Sequence, residues 1–184
     1  RGPGALGVEI VRSAKDFSVE PAEHLQVGPR PQIICLSNDA IASASLSGWL
    51  DTLSVSDTPS IICVDLPVDG KSLTGHAMVD RRIALLSIEQ NAWVLASKDD
   101  RCVVVGSKTE LDWAIKHNEL CVWAPSKMVL DATQPPKGPV SDTLGLALWL
   151  GHSLNAKHVM AIGSFDSEQD DPLILFRGVG PDAL

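Results

Sequence analysis

The stretch Gln32-Ile33-Ile34-Cys35-Leu36 (QIICL) decides the fold. Its unbroken apolar run, with β-branched Ile33 and Ile34, is typical of a strand that is buried on both faces of a sheet. A second stretch, Ser60–Val64 (SIICV), has the same character, and both belong to a Pro-x-Ile-Ile-Cys pattern. Two copies are too few for a repeat architecture, so we interpret the stretches as neighbouring strands under similar packing demands.

Helix patterns flank these strands. Residues 39–53 predict an Ala/Ser-rich helix that begins at Asp39 as its N-cap. Ser107 and Glu110 have the spacing of a capping box and predict the start of a short helix. The pattern from residue 141 to about 155 is apolar nearly all round, which is typical of a buried helix.

Further short apolar runs predict the remaining strands. They cover residues 82–88, 92–96, 102–105, 120–123, 128–130, 159–162 and 173–176. Residues 98–101 suit a hairpin turn. The sequence therefore predicts an α+β fold, with a mixed sheet and two or three packed helices. We expect an extended N-terminal arm over residues 1–30 and a single domain over residues 31–184.

Composition excludes several classes of function. The 184 residues carry a net charge of −8 and no basic run beyond Arg81-Arg82, which argues against nucleic acid as a partner. The four cysteines form no C-x-x-C pair and the five histidines show no ligand spacing. We therefore expect buried reduced thiols, no bound metal and no cofactor. No segment is apolar enough to span a membrane, and a cytoplasmic location is expected.

Ser141 is the candidate nucleophile. It ends the Pro/Gly-rich stretch Pro-Pro-Lys-Gly-Pro-Val-Ser at residues 135–141, immediately before a helix pattern. A hydroxyl at the mouth of a helix lies near free backbone N–H groups and the positive end of the dipole, which can stabilise an oxyanion. The simpler interpretation is that Ser141 only caps the helix. The G-x-S-x-G motif of α/β-hydrolases is absent.

The segment around Ser141 resembles the nucleophile segment of Ser/Lys-dyad peptidases, namely the Lon proteolytic domain and the VP4 proteases of birnaviruses. The Pro-Lys-Gly-Pro-x-Ser run and the Ser-x-x-Leu-Gly-Leu spacing carry the resemblance, with Val140 as an extra residue before Ser141. It covers about residues 120–184. It implies a Lon-protease-like fold, a peptide or viral polyprotein as substrate, cleavage after small residues and host cytoplasm as the location.

The mechanism that the resemblance implies needs a neutral lysine as general base for Ser141. In those families the lysine follows the serine by roughly forty residues, just after a Gly-rich turn. Here Asp182 stands at the matching place, and the only lysine after Ser141 is Lys157. The resemblance therefore allows either a serine endopeptidase, in an active, inactive or truncated form, or a catalytically silent Lon-like structural or interaction module.

A third hypothesis is a small binding domain unrelated to proteases. Asp65, Asp69 and Asp80 are candidate cation ligands, but their irregular spacing favours a solvated loop. The peptidase and the silent module predict different surroundings for Ser141. The peptidase needs an exposed hydroxyl beside a groove with an unpaired strand edge, whereas the silent module needs a filled groove.

Overall fold

The computed structural model describes residues 28–67 and 74–178. The predicted N-terminal arm lies outside this part of the chain except for its last three residues, 28–30. Asp69 and Asp182, two residues singled out in the sequence, also fall outside it. The described residues share one sheet and one hydrophobic core.

Six strands form this sheet, in the order β3-β4-β2-β1-β5-β6. Their bounds are β1 Gln32–Leu36, β2 Ser60–Val64, β3 Val103–Val105, β4 Cys121–Trp123, β5 His158–Ile162 and β6 Ile174–Gly178. Every described pairing is parallel. As predicted, β1 and β2 are neighbours in which every residue is buried.

Within the described part of the chain, six helices accompany the strands. They are α1 Asn38–Ala42, α2 Leu46–Ser54, α3 Ala77–Ala96, α4 Lys108–Lys116, α5 Ser126–Asp131 and α6 Thr143–Ser153. Helix α4 begins with the predicted capping box, in which Ser107 accepts from the Glu110 amide and the Glu110 carboxylate accepts from the Ser107 amide. The predicted helix 39–53 is two helices instead, and Ser37 rather than Asp39 caps the first.

Helices cover both faces of the sheet, because successive residues of β1 contact different helices. The thiol of Cys35 donates to the Thr143 carbonyl at the start of α6. Leu36, one residue later, lines a small apolar cavity with residues of α1 and α2. Successive residues of a strand point to opposite faces. The sheet is therefore the middle layer of the fold.

The predicted combination of helices and strands around one sheet is confirmed. The predicted mixed sheet is wrong, since the described pairings are all parallel, and six helices replace the expected two or three. Parallel neighbours need a crossover between them, usually a helix. A parallel sheet of this size therefore requires more helices than the sequence patterns indicated.

The largest error concerns α3. Residues 82–88 and 92–96 were predicted as strands, but both lie inside the helix Ala77–Ala96. The inward side of α3 repeats with helical spacing through Leu85, Ile88, Ala92 and Leu95. Large apolar residues on the outward side of α3 conceal that period in the sequence. The predicted hairpin at 98–101 is the connection from α3 to β3, and residues 128–130 belong to α5.

Helix α6 begins later than the sequence indicated. Its first residue is Thr143 and its N-cap is Asp142, whose carboxylate accepts a hydrogen bond of 2.9 Å from the Gly145 amide. Ser141 lies in the turn before this cap. The interpretation of Ser141 as the helix cap is therefore wrong.

Across residues 28–67 and 74–178, none of the helices combines the length and the apolar character that crossing a membrane requires.

Candidate functional site

The order of the strands creates a crevice at one edge of the sheet. On one side of β1 lie β2, β4 and β3, which the chain forms first. The chain then returns to the other side of β1 and forms β5 and β6 there. Ligands of open parallel sheets bind at such a reversal, outside the carboxyl ends of the strands. A cleft of about 710 Å³ lies there, which we call the carboxyl-edge cleft.

Residues that follow three different strands line this cleft. Asn38 comes after β1, residues 65–67 follow β2, and residues 164–170 follow β5. The turn before α6 and the first residue of that helix complete the wall. The cleft therefore brings together polar residues that lie more than a hundred positions apart in sequence.

Asp65 is held in the wall of the cleft by hydrogen bonds. Its Oδ1 accepts a hydrogen bond of 2.7 Å from the Thr143 hydroxyl and one of 2.8 Å from the Leu66 amide. The bond from Thr143, which is buried, ties the first residue of α6 to the residue that follows β2.

Two amide side chains fix the surrounding backbone. The Asn38 amide donates to the Leu66 carbonyl at 2.6 Å. Asn91, which reaches in from α3, donates to the Asp65 carbonyl at 2.9 Å. Because the loops after β1 and β2 are bonded to each other and to α3, this side of the cleft is preorganised.

The loop over residues 164–170 is anchored at both ends. Ser164 donates to Asp39 through its amide and its hydroxyl, each at 3.3 Å. At the other end the Gln169 amide donates to Oδ2 of Asp142 at 2.8 Å. Arg177 of β6 donates to the carbonyl oxygens of Ser167 and Gln169. These bonds hold the loop against the start of α6.

Gly163 lets β5 turn into this loop. Its φ of +102° lies in the region that favours glycine. A Cβ at this position would collide with the Ser37 hydroxyl and would lie 2.8 Å from Oδ1 of Asp39. Hydrogen bonding from the Ser37 hydroxyl, aided by the Ser164 amide, lowers the pKa of the Asp39 carboxyl. Asp39 therefore stays ionised as an anchor for Ser164.

The electrostatics of the cleft are strongly one-sided. Five carboxylates line it: Asp65, Asp142, Asp166, Glu168 and Asp170. Among the residues that the structure describes, no lysine, arginine or histidine lines it. The opening is therefore a region of negative potential.

Ser141, the predicted nucleophile, is exposed and lines the same cleft. No hydrogen bond of its side chain is found within the described residues. The structure places its hydroxyl beside this cleft, in the turn that precedes α6. Lys137 lines a neighbouring cavity rather than the carboxyl-edge cleft, and Asp182 lies outside the described residues.

The cysteines belong to the core and not to the cleft. All four are free and buried. Burial raises the pKa of Cys121 to about 12 and that of Cys102 to about 11, and it raises the pKa of Cys35 and Cys63 as well. Burial therefore favours the protonated form of these thiols at neutral pH.

Within residues 28–67 and 74–178, no group of three or more His, Cys, Asp or Glu side chains is arranged to hold a metal ion. The carboxylates of the cleft are distributed around its wall rather than gathered on one point.

Neither a model of a known protein family nor a curated protein matches the sequence. The chemistry of the site is therefore derived from its geometry alone.

Sequence reasoning singled out Ser141, which lines the cleft, but it did not assemble the other residues of the wall. Thr143, Asn38 and Gln169 were not proposed as site residues, and Asp65 was interpreted as part of a solvated loop. A signal was present, because Asn38 and Asp65 follow the two strongest strand patterns almost directly. It becomes informative only when the strands are known to be parallel, since parallel strands end at one edge.

Proposed function

We propose that this chain binds a small, polar, positively charged molecule in the carboxyl-edge cleft. The observation that carries the proposal is the composition of the wall, which has five carboxylates and, among the described residues, no cationic side chain. A cation entering this cleft gains electrostatic attraction from several directions at once. The volume of about 710 Å³ suits a small organic ligand.

The arrangement disfavours phosphate, the ligand that helix N-termini often bind in parallel sheets. The positive end of α6 is already occupied, because the carboxylate of Asp142 accepts from the Gly145 amide. A phosphate placed there would face Asp65 and Asp142 at close quarters. The loop between β1 and α1, Ser37-Asn38-Asp39, also lacks the glycines of dinucleotide-binding turns.

The preorganised residues suggest how a ligand would be oriented. Asp65 and Asp142 have fixed positions through Thr143 and Gln169, so each offers a carboxylate of defined direction. Asp166 and Glu168 stand on the anchored loop and are exposed. We assign orientation of the ligand to the first pair and long-range attraction to the second.

Thermal-shift and calorimetric titrations test the proposal. The cationic probes are spermidine, agmatine and arginine amide; the anionic probes are ATP and inorganic phosphate; Mg²⁺ and Ca²⁺ form a third group. We expect at least one organic cation to raise the melting temperature in a saturable manner, and its affinity to fall as salt increases. Stabilisation by the anions alone would overturn the proposal, as would a response to none of the probes.

A pair of variants localises the binding. Asp166→Asn with Glu168→Gln removes two charges from the cleft without removing a hydrogen bond that anchors the loop. Asp57→Asn with Asp131→Asn removes two charges from exposed carboxylates that do not line the cleft. We expect about a tenfold loss of affinity in the first variant and a smaller change in the second. Equal losses in both would mean that binding is diffuse and not located in the cleft.

A serine endopeptidase of the Ser/Lys type is the second candidate. One observation favours it: the hydroxyl of Ser141 is exposed and adjoins the cleft. Two observations count against it, since no lysine lines the cleft among the described residues and neither edge strand, β3 or β6, contributes to its wall. A peptide could therefore not bind beside Ser141 by strand addition. The Lon-like fold stays a prediction of the resemblance.

Reaction with a fluorophosphonate probe tests this candidate directly. A peptidase predicts labelling of the chain that disappears in Ser141→Ala, together with cleavage of a peptide that carries Ala at the scissile position. Absence of labelling, or labelling that persists in Ser141→Ala, would remove the peptidase. Neither result affects the titrations with cations, so the two candidates fail independently.

A further inference from the structure

Helix α3 carries large apolar residues on its outward face as well as on its inward face. The inward residues Leu85, Ile88, Ala92 and Leu95 are buried against the sheet. The outward side carries five large apolar residues with high exposure: Met78 (76%), Val79 (46%), Leu86 (52%), Trp93 (60%) and Val94 (49%). Single exposed apolar residues need no explanation, but several large ones along one helix indicate an interaction surface.

The positions of these residues are symmetric about Leu86. Val79 and Trp93 lie seven residues before and after it, and Met78 and Val94 lie eight residues before and after it. Seven residues correspond to about two helical turns, so Val79, Leu86 and Trp93 lie along one stripe. The row therefore has the same arrangement when it is followed from either end.

We propose that this outward face is the interface of a two-fold symmetric homodimer, in which α3 packs antiparallel against α3 of a second copy. A two-fold interface uses the same patch on both subunits, so a residue before the centre meets a residue after it. In this packing Leu86 meets Leu86 at the axis. Met78 and Val79 of one copy meet Trp93 and Val94 of the other.

The charges of α3 support the same occupant. Arg82 is exposed and lies four residues before Leu86, whereas Glu89 lies three residues after it. On an antiparallel second copy these positions come to nearly the same height and to the same flank of the apolar stripe. The packing thus pairs Arg82 with Glu89 of the second copy, twice by symmetry. Gln90, four residues after Leu86, comes to the same height as Arg82 of the second copy. Because Gln90 is uncharged, the packing brings no like charge close to Arg82.

The face is separate from the carboxyl-edge cleft, since none of its five apolar residues lines that cleft. The homodimer therefore does not depend on the proposed ligand. Antiparallel packing against a second copy needs apolar residues at equal distances before and after Leu86, because these residues contact each other. A different partner would not need this spacing, which is why we favour self-association.

Sedimentation velocity of the full chain tests the proposal over about a hundredfold range of concentration. We expect a species of twice the 19.6 kDa chain mass, and a shift towards the single-chain mass in Leu86→Asp. Val55→Asp is the matched control, because Val55 is 81% exposed and lies outside α3. Circular dichroism checks that each variant is folded. A chain that stays monomeric throughout the range would overturn the proposal, and so would a dimer that is unaffected by Leu86→Asp.

Two further designs test the symmetry itself. Arg82→Glu and Glu89→Arg should each weaken the dimer, and the double variant should restore it, because exchanging the charges preserves both ion pairs. Leu86→Cys should form a disulfide-linked dimer under mild oxidation, whereas Val55→Cys should not; the natural cysteines are all buried. Failure of the charge exchange to restore the dimer, with no link through Leu86→Cys, would exclude the antiparallel arrangement.

Discussion

The hydroxyl of Thr143 donates a hydrogen bond of 2.7 Å to Oδ1 of Asp65. This bond joins the first residue of α6 to the residue that follows β2, across 78 positions of sequence. It sets the distance between two walls of the carboxyl-edge cleft. Because Thr143 is buried, water does not readily replace the bond when it is removed.

Thr143→Val should therefore destabilise the protein by about 2 kcal/mol, the usual value for a buried hydrogen bond to a charged group. Valine has nearly the same shape, so the loss reports the hydroxyl and not a cavity. Thr143→Ser keeps the donor and should cost less. Urea unfolding measures both variants; a larger loss in Thr143→Ser than in Thr143→Val would show that the methyl group of Thr143, rather than its hydroxyl, is what matters.

Asp142 links helix stability to the loop over the cleft. Its carboxylate accepts from the Gly145 amide and from the Gln169 side chain. Asp142→Ala should cost about 1 kcal/mol through loss of the cap and should also release the loop at Gln169. Asp142→Asn retains an N-cap acceptor and should recover most of that stability. Hydrogen exchange of the loop amides is the second measurement, and unchanged exchange in Asp142→Ala would contradict an anchoring role.

The extent to which sequence predicted this fold depends on the kind of signal. The strands β1 and β2 and the capping box at Ser107 were confirmed because each is a local pattern with a single interpretation. Helix α3 was missed because it is apolar on both sides. If that helix packs against a second copy, its outward residues obey the rules of an interface and not those of a solvent-exposed surface.

The site was less predictable than the strands. Ser141 could be placed before a helix from local turn residues, yet the turn contains one more residue than a simple cap allows, and Asp142 takes the capping role. Asp65 and Thr143 come together only through the order of parallel strands. Pairing of distant strands depends on packing across the whole sheet and leaves no mark in any one segment.

Gly163 should tolerate no side chain. Gly163→Ala would force a φ of +102° on alanine and push its Cβ into the Ser37 hydroxyl. Backbone strain and overlap together should destabilise the fold by about 2 kcal/mol or more. Gly48→Ala is the matched control, because Gly48 lies within α2 and nothing lies within 4 Å of its added Cβ. That change should stabilise the protein by about 0.5–1 kcal/mol, since alanine favours helix.

An unchanged stability of Gly163→Ala would contradict this account of the turn after β5. If Gly163→Ala were as stable as the parent chain, the contact between the end of β5 and Ser37 could not be rigid. The anchoring of residues 164–170 through Asp39 would then need revision.

His158 should make the stability depend on pH. It lies at the start of β5, where its Nε2 is 3.1 Å from Oε1 of Gln32. Burial, with a smaller contribution from the positive charge of Lys157, lowers the pKa of His158 below its usual value. The unfolded chain therefore binds a proton more readily than the folded chain. Stability is full above the unfolded pKa of about 6.5 and decreases as pH falls through that value towards the lower folded pKa.

Chemical denaturation at about pH 7.5 and pH 5.5 measures this effect, since most carboxyl groups remain ionised over that interval. His158→Gln should reduce the difference in unfolding free energy between the two conditions. Lys157→Gln should reduce it in part, because removing the neighbouring charge raises the pKa of His158 towards its ordinary value. If His158→Gln left the pH dependence unchanged, protonation of this ring would not be coupled to folding, and the loss of stability would have to come from another group.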